Sequence, residues 1–163
     1  MKKAFALILT GVLMASPLTA FAEITENTDP KQGSTEITTQ IAPAYIVTIP
    51  ADTSVDFNTV NTDFGAVKLT KAQLEPNKCI KVTMTASGEM KNSADTSKVL
   101  PYTIFEGTAD AVTDTVFTSA ELASVGDKTD LTISISADDW NNAYAGSYSD
   151  TVLFSIEYAD AQP

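Results

Sequence analysis

Residues 145–158 read AGSYSDTVLFSIEY, and this stretch decides the fold class of the chain. The small residues at its start indicate a turn, and the run that follows carries apolar side chains at alternate positions. In an extended chain, side chains of one parity lie on one face. Because a single strand is not stable in water, this apolar face predicts further strands and a second sheet that covers it. The face consists of Tyr148, Val152, Phe154, Ile156 and Tyr158.

Other segments repeat the two-residue period and predict the remaining strands. Pro43 either kinks the first of them or divides it into two strands that switch sheets at Ala42-Pro43. It favours a sheet edge, because proline donates no ladder hydrogen bond. The predicted strands cover residues 37–49, 55–57, 66–69, 78–86, 99–105, 109–117, 129–136 and 148–158. Between them we expect a helical turn at 70–74, a polar loop at 87–97, a short turn at 119–122 and a loop at 137–144. The sequence therefore predicts an all-β fold, an antiparallel two-sheet immunoglobulin-like sandwich of roughly seven to nine strands.

The first 22 residues have the pattern of a cleaved secretory signal. Lys2 and Lys3 precede an apolar run, and the segment ends in Ala20-Phe21-Ala22. No later segment approaches the roughly 20 apolar residues that a membrane span requires. The sequence thus predicts a secreted protein, extracellular or associated with the cell surface, with no membrane span. We expect residues 1–22 to be a signal peptide, 23–34 a flexible leader and 35–160 one β-sandwich domain.

The charge balance excludes two classes of partner. The chain has 21 acidic and ten basic residues, all ten of them Lys, and its formal net charge is −11. Loss of Lys2 and Lys3 with the signal would move this charge to −13. Nucleic acid and anionic lipid are bound mainly through Lys and Arg, so we expect neither as a partner. The acidity favours solubility in an extracellular medium, with cation or neutral-glycan binding as the alternative.

Reactive side chains are scarce. Cys79 is the single cysteine, so an intramolecular disulfide is impossible, and the absence of His excludes a Cys-His nucleophile pair. We expect Cys79 to be a small, half-buried residue off the main core face; pairing between chains or a reactive thiol is the alternative. An isopeptide cross-link from Lys68 or Lys81 is a further possibility. The sequence predicts no catalytic residue, no cofactor and no metal site.

One loop gathers the side chains that a ligand site needs. Carboxylates, amides and aromatic rings are the mix with which glycan sites stack a sugar ring and hydrogen-bond its hydroxyls. The alternatives are a polar turn, in which Trp140 folds over the end of the sandwich and Asp138 caps a short turn, and a calcium site. The candidate ligand-binding residues are Asp138, Asp139, Trp140, Asn141, Asn142 and Tyr144.

Two residues of the closing strand have predicted structural roles. We expect Asp150 to fix the turn by accepting hydrogen bonds rather than to act as a catalytic acid. Tyr148 is expected to pack against the core with its hydroxyl bonded to a loop, similar to the corner tyrosine of immunoglobulin folds.

Two short motifs carry a resemblance to known families. Residues 45–51, YIVTIPA, and residues 145–152, AGSYSDTV, preceded by Trp140, resemble small secreted immunoglobulin-like proteins of Gram-positive, Clostridia-type bacteria. The second motif is also similar to the closing strand of spore coat protein U-type and pilin-like domains. A weaker resemblance links it to WxL domains, whose Trp-x-Leu motif is replaced here by Phe154-Ser155-Ile156. The resemblance implies an extracellular, surface-associated or adhesive role.

The combined expectation is a secreted, non-enzymatic surface protein that acts in adhesion or as a structural component of the cell surface. The alternatives are a cell-wall or glycan-binding module of the WxL type and, further away, a small hydrolase that acts on glycans. The expected partners are cell-surface glycans or other surface proteins. The sequence predicts no particular oligomeric state.

Overall fold

The computed structural model describes residues 24–162, so the predicted signal peptide, residues 1–22, lies outside the described residues. The chain divides into two compact units, with the boundary between Gln40 and Ile41. In the described part of the first unit the backbone forms turns and bends but neither a strand nor a helix.

The second unit is built almost entirely of strands, and the predicted all-β class is confirmed. Its elements are β1 (Ala44–Thr48), β2 (Asn61–Gln73), β3 (Lys78–Thr85), β4 (Glu89–Asn92), β5 (Val99–Pro101), β6 (Thr103–Thr108), β7 (Ala111–Val116), β8 (Ser119–Leu122), β9 (Lys128–Ser134), α1 (Ala137–Asn142), β10 (Tyr148–Ser149) and β11 (Leu153–Asp160).

The strands form three antiparallel sheets around one core. A five-stranded sheet has the order β1-β2-β9-β6-β7, and two three-stranded sheets have the orders β11-β3-β8 and β10-β4-β5. The chain passes between the two smaller sheets twice, from β3 to β4 and from β10 to β11, with a short break each time. Because of these breaks, the described residues form eleven strands in three sheets, rather than the predicted seven to nine strands in two sheets. The shared core contains Val67, Leu69, Ile80, Val82, Leu100, Tyr102, Ile104, Phe117, Leu122, Leu131, Ile133 and Ile135.

The best alternating segments fold as their patterns predict. In β3, Ile80 and Val82 are fully buried, and β9 buries Leu131 and Ile133. Thr132, for which the same alternation predicts an outward side chain, is also fully buried; its hydroxyl donates to the carbonyl of Gly107 at 2.8 Å.

The first predicted strand is shorter than expected. Only residues 44–48 of the predicted range 37–49 pair with β2, directly after Pro43, which can donate no ladder hydrogen bond. The predicted edge position is confirmed, because β1 has a neighbour on one side only. Ile41, before the proline, is 64 % exposed.

Four predictions between the main strands are wrong. Residues 55–57 form no strand, and β2 continues through the expected helical turn at 70–74 because it pairs with β1 as far as Gln73. The expected polar loop at 87–97 contains β4, and the expected turn at 119–122 is β8. Both are four-residue strands, too short for their alternation to be recognised, and pairing with neighbouring strands fixes them.

Cys79 is 1 % exposed rather than half-buried. It lies on β3 opposite Ala159 of β11. Burial, with a smaller contribution from the nearby carboxylate of Glu121, raises the pKa of its thiol. The thiol is therefore neutral and shielded in the folded chain.

The closing stretch is divided between β10 and β11. Tyr148, Val152, Phe154 and Tyr158 pack against the core as their shared parity predicts. Ile156 has the same parity but remains 43 % exposed.

Candidate functional site

A groove of about 950 Å³ opens where the chain leaves two edge strands. Residues 49–55, which follow β1, form one wall, and residues 146–152, which include β10, form the other. The two motifs singled out in the sequence thus contribute to the same cavity. Its floor consists of core side chains, namely Phe64, Met90, Leu100, Tyr102, Ile133 and Phe154.

Asp150 fixes the second wall through hydrogen bonds from distant residues. Its Oδ2 accepts from the hydroxyl of Tyr102 at 2.6 Å and from the hydroxyl of Ser87 at 2.7 Å. Ser87 lies in the break between β3 and β4, Tyr102 separates β5 from β6, and Asp150 lies in the break between β10 and β11. One carboxylate therefore joins three points at which the chain leaves one strand for another.

At this junction of Ser87, Tyr102 and Asp150, the Asp150 carboxyl group is ionised at neutral pH and the Tyr102 hydroxyl is protonated. Partial burial acts to raise the pKa of Asp150, but hydrogen bonds from Tyr102, Ser87 and backbone N–H groups outweigh it and hold the pKa below its usual range. Burial and the neighbouring carboxylate raise the pKa of Tyr102. The tyrosine hydroxyl therefore donates and the carboxylate accepts, which suits the predicted turn-fixing role of Asp150. A general acid at neutral pH needs a raised pKa instead.

The turn before β10 depends on a glycine. Gly146 has a φ of 147°, and a Cβ at this position would lie 2.5 Å from Nδ2 of Asn92. Asn92 is only 2 % exposed; its amide donates to the carbonyl of Ala145, and its Oδ1 accepts from the backbone N–H of Ala94. A side chain at Gly146 would therefore displace a buried, hydrogen-bonded amide.

Tyr148 continues from this turn. Its hydroxyl donates to the carbonyl of Tyr144 at 2.8 Å, so the predicted bond from this tyrosine to a loop is present.

The predicted ligand-binding loop begins with the short helix α1. Ser136 is its N-cap, with a side-chain oxygen that accepts from the backbone N–H of Asp139 at 3.1 Å, so the expected cap, Asp138, is wrong. Asp139 also accepts a hydrogen bond from the Ser136 hydroxyl. Asn142 donates through its side chain to the carbonyl of Asp138, while Asn141 is exposed. Two of the four carboxylate and amide side chains, those of Asp139 and Asn142, therefore form hydrogen bonds within this segment.

The aromatic side chains of the segment diverge. Trp140 is half-buried in the lining of the groove, and its indole N–H donates to the carbonyl of Thr59 at 3.0 Å. Tyr144 is 61 % exposed outside the groove, and the amino nitrogen of Lys98 lies 4.6 Å from the centre of its ring. Of the six predicted residues, Trp140 is the one that lines the groove.

Sequence reasoning missed Phe57. Its ring is 75 % exposed at the groove, with its centroid 5.5 Å from that of the Trp140 ring at an interplanar angle of 79°. The available signal was an aromatic residue between Asp56 and Asn58, in a stretch rich in turn-forming residues.

Two further properties concern the described residues alone. Among residues 24–162, no three Cys, Asp or Glu side chains are grouped so that they could hold a metal ion. In the same part of the chain, no helix is long and apolar enough to cross a membrane.

No protein-family model matches the chain, and no curated protein is significantly similar to it. The resemblance to surface proteins therefore depends on the two motifs alone.

Proposed function

We propose that this protein is a secreted, non-enzymatic component of the cell surface that acts in adhesion or as a structural part. The groove between residues 49–55 and 146–152 is its contact site. The observation that carries this proposal is the groove itself, an open cavity of about 950 Å³ lined by aromatic rings, hydroxyls and carboxylates. Ligand sites typically enclose roughly 300–1,000 Å³ and combine apolar walls with a few polar groups.

The groove is suited to binding because one wall is held in place before a partner arrives. The hydrogen bonds to Asp150 and the close approach of Gly146 to Asn92 fix residues 146–152. A preformed wall lowers the entropy that binding must overcome. The signal-like start of the sequence and the two motifs support a place outside the cytoplasm.

A cell-wall or glycan-binding module is the second candidate, and the exposed Phe57 beside Trp140 favours it. A glycan hydrolase has less support. Asp52 and Asp150 are the carboxylates that line the groove, and the lowered pKa of Asp150 does not suit a general acid.

Fractionation of the producing cells tests the proposal, with intact-mass measurement of the recovered chain. We expect the protein in the medium or the surface fraction, with a mass that begins at Glu23. Recovery of the uncleaved chain from the cytoplasm would contradict the proposal. So would release of sugars when the purified protein is incubated with cell-wall glycans.

A further inference from the structure

Phe57 provides an exposed aromatic ring beside Trp140. Its contact with Trp140 is edge-to-face, and such a contact covers at most one face of either ring. The indole is in turn anchored by its hydrogen bond to the Thr59 carbonyl. The Phe57 ring therefore contacts an anchored indole at the groove and remains 75 % exposed. Its free surface can stack against the apolar face of a ligand.

Polar groups that lack partners inside the protein surround this ring. Ser54, Ser147 and Ser149 line the groove, and no hydrogen bond within residues 24–162 engages their hydroxyls. Each hydroxyl can donate one hydrogen bond and accept others. The groove thus presents several small donors and acceptors along its two walls.

The charge of the groove selects against anions. Among the described residues, Asp52 and Asp150 are the charged side chains in its lining, and the whole chain carries a formal charge of −11. An anionic polymer would be repelled. The Asp150 Oδ2 is already occupied by two hydroxyl donors, whereas no side-chain hydrogen bond within the described chain engages Asp52.

We propose that the groove binds an uncharged oligosaccharide, with one sugar ring stacked on Phe57 and its neighbours hydrogen-bonded to the serine hydroxyls and Asp52. This inference rests on the proposed function, because it names the class of surface partner that the groove takes. The volume, about 950 Å³, lies near the upper end of the range for ligand sites and suits more than one sugar ring.

Titration with defined neutral oligosaccharides tests this inference. The probes are cello-, xylo-, manno- and N-acetylated chito-oligosaccharides, and the readout is the fluorescence of Trp140, the single tryptophan of the chain. We expect saturable binding to at least one probe. Because no ion pair is involved, its Kd should stay nearly constant when NaCl rises from about 0.05 M to about 0.5 M. Polygalacturonate should not bind.

Matched variants locate the site. Phe57→Ala should raise the Kd by about tenfold or more, and Phe57→Trp should retain binding. Tyr144→Ala removes another exposed aromatic ring, which lies outside the groove, but keeps the backbone carbonyl that Tyr148 uses, so its Kd should stay within about twofold. Urea unfolding of each variant confirms that the fold is retained.

Several results would overturn the inference. These are the absence of saturable binding to all four neutral probes, equal effects of Phe57→Ala and Tyr144→Ala, and binding confined to the anionic polymer. If protease treatment of the producing cells abolishes attachment and periodate oxidation of their sugars does not, the partner is a polypeptide. The sugar site then fails while the surface role stands. If the chain remains in the cytoplasm but shows Phe57-dependent sugar binding, the proposed function fails and the site stands.

Discussion

The Asp150 carboxylate joins residues that the sequence separates widely. Its hydroxyl donors, Ser87 and Tyr102, lie 63 and 48 positions away along the chain. The turn-fixing role of Asp150 was predictable from its place after a small-residue turn. Its partners were not, because Ser87 was expected in a loop and Tyr102 in a strand interior, and only the tertiary fold brings the three together.

Replacement of this carboxylate should weaken the fold in a pH-dependent way. We expect Asp150→Asn to lower the free energy of unfolding by about 1–2 kcal/mol near pH 7, a value reduced by the solvent exposure of the residue. The folded pKa lies below the unfolded one, so the contribution is fully present above about pH 4 and is lost as the pH falls through the folded pKa. The difference between the two proteins should therefore shrink as the pH falls through the folded pKa of Asp150.

Urea unfolding at several pH values measures this effect. Asp114→Asn is the matched control, because Asp114 is exposed on β7 and its side chain makes no hydrogen bond within residues 24–162. It should change stability by less than about 0.5 kcal/mol at neutral pH. An Asp150→Asn deficit that is the same at low and neutral pH would show that the carboxylate charge is not what holds the junction.

Among the elements, α1 is too short to be predicted from the periodicity of the sequence. Residues 137–142 form a helix of six residues, well below the length of roughly 10–12 residues at which helical period becomes readable. Ser136 was assigned to the preceding strand, although it is the N-cap. The hydrogen bond between Trp140 and Thr59 then positions the helix beside the groove, and no local pattern predicts that contact.

Loss of the N-cap should loosen the groove without unfolding the sandwich. Ser136→Ala removes the oxygen that accepts from the backbone N–H of Asp139 and should cost about 0.5–2 kcal/mol. Because Trp140 is the single tryptophan, its emission reports on this region directly. We expect a red shift and stronger quenching by acrylamide in Ser136→Ala, and near wild-type behaviour in Ser136→Thr. Unchanged emission in Ser136→Ala would mean that the cap does not hold the helix.

At the scale of the whole molecule, the sequence predicted what depends on alternation. The all-β class, the core faces of β3 and β9 and the edge position of β1 follow from side chains that must be buried on one side. Strands of four residues, such as β4 and β8, carry too few alternating positions to be recognised. The division of the closing stretch into β10 and β11 also depends on tertiary contacts, above all those of Asp150.

The site was predicted less well than the fold, because it depends on tertiary contacts that no local pattern shows. A loop rich in carboxylates and amides resembles a binding site, yet the side chains of Asp139 and Asn142 form hydrogen bonds to Ser136 and Asp138 within the same segment. The groove forms between two segments about 100 residues apart, so no local pattern shows it. Trp140 was predicted for its chemistry, whereas Phe57 is the last residue of a predicted strand, 55–57.

We propose that a surface partner is bound in the groove, and a side chain that blocks the groove should prevent this binding. Ser54→Trp places an indole in one wall, at an exposed position whose side chain makes no hydrogen bond within the described chain. Ser119→Trp adds the same bulk on β8, outside the groove. The measurement is the amount of purified protein retained by the producing cells. We predict that Ser54→Trp lowers retention by about tenfold, while retention of Ser119→Trp stays within about twofold of wild type. Equal retention of all three proteins would show that the partner is not bound in the groove.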